Sequence, residues 1–118
     1  MRHNFKNLKI WQLGIELIME VYAISKQFPT EERYGLTTQV NRSALSVPSN
    51  IAEGSGRGTN KDFANFLSIA IGSLYELETQ IIVARQLNFI KEEQFNKLSK
   101  MVNELEKMIN GIRNNLKL

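Results

Sequence analysis

Glu76 and Glu78 fall two residues apart in a strongly helical stretch, and a carboxylate pair is a common centre for general acid–base catalysis. On a helix that spacing turns the two side chains about 200° apart, so they cannot act on one substrate. Structural hydrogen bonding is the simpler role, with Glu76 near the polar side and Glu78 at a seam between helices or subunits. Gly54-Ser55-Gly56-Arg57-Gly58, followed by a helix start, has the parts of a phosphate cradle: flexible amides, a positive helix end and a guanidinium. It lacks the Gly-Lys-Ser/Thr ending of a nucleotide-hydrolysing loop and follows no strand. Two readings remain, a plain helix–helix turn or a contact of Arg57 and Lys61 with a nucleic-acid phosphate. Trp11, the one tryptophan, could stack on a base, but its neighbours Ile15 and Ile18 favour burial in an interface.

Other chemistries lack their residues. There is no cysteine, and the one histidine is His3. This excludes a disulfide framework, a thiolate nucleophile and Cys-based zinc or iron–sulfur sites. Without Glu-x-x-His pairs there is no di-iron site either. No grouping of nucleophile, base and oxyanion donor is present, so no enzyme, metal or cofactor is expected.

Charge is distributed unevenly. The net charge of +3 comes from 15 basic and 12 acidic residues. Residues 62–118 carry seven of each sign, so the surplus lies in the first half. There Arg33, Arg42, Arg57 and Lys61 face only Glu53, and one electropositive region able to meet nucleic-acid phosphate is expected from them.

These groups need rigid elements beneath them, and helical periodicity runs through almost the whole chain. Over 8–27, Ile10, Leu13/Gly14, Leu17, Val21 and Ile24 form one stripe, and Trp11, Ile15, Ile18 and Tyr22 form a second. Phe28-Pro29 should stop this helix. Thr30 should cap a second helix over 31–54, bent at Pro48. Thr59 should cap a third over 59–88, with Phe63, Leu67, Ala70, Leu74, Leu77, Ile81 and Ala84 inward and Asn88 closing it in the left-handed region. Ala64, Ser68 and Gly72 leave room there for another backbone. The fourth, over 92–116, turns Phe95, Leu98, Val102, Leu105, Ile109, Ile112 and Leu116 inward. Spacings alternating between three and four are those of near-parallel packed helices. The expected fold is therefore all-α: a single domain over 1–118, an up-down-up-down antiparallel four-helix bundle. The doubled stripe on the first helix adds self-association into a homo-oligomer. No apolar run approaches the roughly 18 residues of a membrane span, and the polar, basic start is unlike a secretory leader. A soluble cytoplasmic protein with no membrane partner is expected.

Three blocks of residues go further. Phe5-x-x-Leu8-x-x-Trp11-Gln12, with Phe28-Pro29-x-Glu31/Glu32-x-Tyr34-Gly35-Leu36-x-x-Gln39-x-x-Arg42, resembles the opening of the 23S rRNA intervening sequence proteins. Ser46-Val47-Pro48-x-Asn50-Ile51-Ala52-Glu53-Gly54-x-Gly56-Arg57 is similar to their central signature, and Ala70-x-Gly72-Ser73-x-x-Glu76-Leu77-Glu78 to their third-helix motif. Lys91 departs from the pattern, which usually has a small capping residue there. The resemblance implies a homopentamer shaped like a short barrel with a central channel, without enzymatic activity. Members are encoded in intervening sequences of bacterial ribosomal RNA genes. A related branch, the accessory variability determinant of diversity-generating retroelements, binds nucleic acid and a reverse transcriptase.

The signature residues carry over as Gln39, Arg42, Asn50, Glu53, Arg57 and Glu76. Within them Gln39, Asn50, Glu53 and Glu76 are expected to be structural polar groups, the last three buried and mutually bonded between helices. Arg42 and Arg57, with Arg33 and Lys61, are expected on the nucleic-acid surface, and Trp11, Ile15, Ile18 and Tyr22 in the oligomer interface. Two functions compete: a nucleic-acid-binding accessory, RNA favoured, and a scaffold that docks a protein partner such as a reverse transcriptase.

Overall fold

The computed structural model describes residues 4–118; His3 lies outside them. A 3-10 turn, Phe5–Asn7, leads into α1 (Lys9–Ser25). A second 3-10 turn, Thr30–Glu32, precedes α2 (Leu36–Ser55), and α3 (Asn60–Gln86) and α4 (Glu92–Asn115) follow. Each helix packs against its sequence neighbours and α4 closes on α1, which leaves α1 diagonal to α3 and α2 diagonal to α4. The described residues measure 45 × 24 × 20 Å.

The inward stripes land as their spacing requires. All seven positions on α3 from Phe63 to Ala84 are buried, as are Leu98, Val102, Leu105 and Ile109 on α4, whereas Phe95, Ile112 and Leu116, expected inward with them, are half-buried at the core's margin. Ile10, Leu17, Val21 and Ile24 of α1, Val40, Ala44, Val47 and Ile51 of α2, and Ile71 and Ile90 join the buried positions in the core. Burial of such side chains contributes about 1.5–3 kcal/mol each. α2 runs through Pro48 without interruption. The proline ring packs against α1 at Gly14, where an added Cβ would lie 3.0 Å from Pro48 Cβ.

The second helix starts later than expected. Thr30 opens only the 3-10 turn, and α2 begins at Leu36. The carboxylate that completes the start is Glu32, whose Oε1 accepts the Leu36 N–H at 3.1 Å. Glu32 does so from the preceding turn, so it cannot also lie within α2. Thr59 does cap α3, its Oγ1 accepting the Asp62 N–H at 3.1 Å. Asn88 closes α3 with φ of 62°, and the Phe89 N–H donates to the Ala84 carbonyl at 2.9 Å. At the start of α4 the side chain of Gln94 makes up for the large residue at position 91. Its Oε1 accepts the Lys91 N–H at 2.9 Å, and its Nε2 donates to Gln27 Oε1 at 3.0 Å.

By length and composition α3 is apolar enough to cross a bilayer, contrary to the expectation that no segment is. Its inner stripe is spent on the bundle core, while Ile69, Ile82, Val83 and Leu87 add apolar surface outside.

Candidate nucleic-acid interface

Helices that alternate in direction bring distant parts of the sequence to one end. The starts of α1 and α3 share an end with the finishes of α2 and α4. Asn60 Nδ2 ties this end together by donating to the Lys117 carbonyl at 3.0 Å. Of the four basic residues chosen from sequence, only Arg57 and Lys61 lie here. Arg33 lies at the opposite end, beside the Thr30–Glu32 turn, and Arg42 lies partway along α2. The single basic region expected from these four is therefore divided among three places.

The fold supplies replacements. Lys6 and Lys9 from the start of the chain, and Arg113 and Lys117 from its finish, join Arg57 and Lys61. The acidic side chains among them are Glu53 and Asp62. Arg57 is partly compensated, with Nη2 2.8 Å from Glu53 Oε1 and its guanidinium 4.8 Å from the centre of the Phe66 ring. Arg113 donates only to neutral acceptors, Ser68 Oγ at 3.2 Å and Asn110 Oδ1 at 2.8 Å, and so keeps its charge unbalanced. Lys9, Lys61 and Lys117 are exposed and have no ion pair among the described residues. Labelling each basic residue by the helix end it occupies would have picked out this set.

The glycine segment does not form a cradle. Among the described residues no glycine has positive φ, and Gly54 and Ser55 are still inside α2. Gly54 is there for space: a Cβ would sit 2.6 Å from Phe66 Cβ and 3.1 Å from Phe63 Cδ1. It lets α3 approach α2 closely.

A second polar feature lies between α2 and α3. Gln39, Arg42, Ser43, Ser46, Ser73 and Glu76 line a groove of about 250 Å³. Ser46 and Ser73 share a hydrogen bond of 2.7 Å, and Asn50 Nδ2 donates to the Ser46 carbonyl at 2.8 Å and to its Oγ at 3.0 Å. Asn50 is thus linked across the helices through Ser46. The expected partners Glu53 and Glu76 are instead exposed, and Glu53 bonds to Arg57. Glu76 lines the same groove from its α3 side, and Glu53, one turn beyond Asn50 near the finish of α2, turns to the Arg57 guanidinium. Gln39 is exposed on the rim of the groove.

On α1, Trp11 is partly buried and meets Phe5 edge-on, with ring centres 5.2 Å apart. Ile15 and Ile18 are half-buried, and Tyr22 is exposed. Among the described residues no three His, Cys, Asp or Glu side chains gather as a metal site would need.

Residues 6–111 match the family model described as 23S rRNA-intervening sequence protein. The chain belongs to that family. This intervening sequence protein is also similar in fold to a crystal structure from Bacteroides thetaiotaomicron, described as a protein of unknown function from the S23 ribosomal protein family. The two share 22% identity and a TM-score of 0.83, over 90% of this chain and 96% of the other. No curated protein matches this family member.

Proposed function

We propose that this intervening sequence protein is a non-enzymatic, cytoplasmic, homo-oligomeric accessory that binds nucleic acid, RNA favoured, through its basic end. The observation that carries the reading is the gathering of Lys6, Lys9, Arg57, Lys61, Arg113 and Lys117 at one end with few carboxylates. The preference for RNA follows from the family's link to ribosomal RNA genes. Assembly is supported by two apolar outer faces on diagonal helices. α1 offers Ile15, Met19 and Tyr22, and α3 offers Ile69 and Val83 beside the open Gly72, with the exposed Glu76 between them. Faces on opposite sides of a protomer join head to tail, and such contacts close into rings when the rotation permits. A pentamer, as the family resemblance implies, would carry +15 from five copies of a +3 chain.

Fluorescence anisotropy with a labelled RNA at two salt concentrations tests the reading. Each phosphate neutralised adds about 0.7 (single strand) to 0.9 (duplex) to the slope of log affinity against log salt. Binding that is absent at low salt, or indifferent to salt, would remove the proposal. The scaffold reading draws on the same apolar faces. A stable protein partner retained after nuclease treatment would favour it.

A further inference from the structure

The basic end has charge but no open aromatic surface. Four aromatic rings lie near it, and each is already engaged. Phe63 is buried, Phe66 lies under the Arg57 guanidinium, and Phe5 and Trp11 meet edge to face. Proteins that hold single strands without sequence preference pair a positive groove with aromatic side chains on which bases stack. Here the second component is missing among the described residues. An exposed aromatic does exist at the other end, where Tyr34 is 88% exposed. There Lys26, Arg33, Arg85 and Lys91 are matched by Glu31, Glu32, Glu92 and Glu93. Tyr22 on α1 and Tyr75 partway along α3 are exposed too, so the open rings lie away from the unpaired positive charge.

We infer that the basic end takes the doubled phosphate backbone of a nucleic-acid duplex rather than the bases of a single strand. This rests on the nucleic-acid reading above and names the class of ligand. The cations come from three corners of the bundle: the start of α1, the α2–α3 connection and the finish of α4. Across the short dimensions of 24 × 20 Å a duplex presents about 12–14 charges, at one per 1.7 Å of its axis, and a single strand about half as many. With no base to stack or read, charge density decides, and the duplex has more of it. Recognition by phosphate alone carries no sequence information.

The full-length chain is titrated against a 20-base-pair RNA duplex, the matching DNA duplex and each single strand, in two unrelated sequences. At low salt the duplexes should bind at least about tenfold more tightly than the strands, with less than about threefold difference between sequences. The RNA and DNA arms distinguish A-form from B-form backbone as the preferred source. K61E/K117E, at two exposed positions, should lose duplex binding at least about tenfold while its helicity is unchanged, and Y34A should bind as the parent does. Single strands bound as tightly as duplexes, or a strong sequence preference, would overturn the inference while leaving the basic end as the binding surface. If the parent binds no probe, or K61E/K117E binds normally, the nucleic-acid reading itself fails.

Discussion

The two ends of the bundle have the same construction, two helix starts beside two helix finishes, but their charges are arranged differently. At the end containing Arg33, four acidic residues match four basic ones, and Arg85 Nε lies 3.1 Å from Glu92 Oε2. At the end containing Lys61, the carboxylates are Glu53 and Asp62, and Lys6, Lys9, Lys61 and Lys117 have no ion pair among the described residues. Helix geometry therefore does not explain the contrast, because each end has equal numbers of positive and negative helix dipole ends. Side-chain charge does. A field concentrated at one end steers and holds a polyanion, and the neutral end cannot.

The largest expected effect comes from reversing that contrast. Changing Lys9, Lys61 and Lys117 together to Glu should lower nucleic-acid affinity about 100-fold or more at low salt. The matched change of Lys26, Arg33 and Lys91 to Glu should leave it within about threefold, as read by anisotropy. Equal losses at both ends would show that net charge, not its placement, governs binding.

Assembly gives the next test. Met19→Arg and Ile69→Arg sit at exposed positions on diagonal helices. Each alone should sediment as a monomer, and a one-to-one mixture should form a discrete dimer, since each variant retains the face the other lacks. A mixture that stays monomeric would rule out head-to-tail assembly through these faces.

Two glycines sharpen the contrast between packed and open surface. Gly54→Ala should cost about 1–3 kcal/mol in denaturant unfolding, because Phe66 Cβ cannot swing aside and the helices must separate. Gly72 has open space around it. Gly72→Ala should raise the stability of the isolated protomer by about 0.5–1 kcal/mol through helix propensity. A drop in oligomer content in that variant would show that a neighbouring copy occupies the space.

The smallest expected effect separates two arginines. Lys61→Ala should reduce the salt slope by about one, whereas Arg42→Ala, away from the basic end, should leave it unchanged. Arg57→Ala should fall between them, since Glu53 already takes part of its charge.

Much of the architecture was legible because helical packing is periodic. The stripe from Phe63 to Ala84 identifies its buried face without reference to any other helix, and Thr59 and Asn88 mark the ends of α3 through local bonds. The start of α2 was harder, because the deciding group is the Glu32 side chain returning from a turn whose path the pattern did not show. The candidate site was harder still. Lys6 and Lys117 are separated by nearly the whole chain, and no local feature associates them. Nor does a sequence show that Gly54 makes room for Phe66 instead of supplying a flexible loop.

Amphipathic spacing, capping residues and the family motifs are local properties, and from them the order of residues fixed four helices, their inward faces and the family. Which charges meet, which stand unpaired and which glycine admits a neighbour depended on folding, because these are distances between residues far apart in the chain. Electrostatic potential sums over neighbours in space, so only the folded arrangement set the charge of one end apart from that of the other.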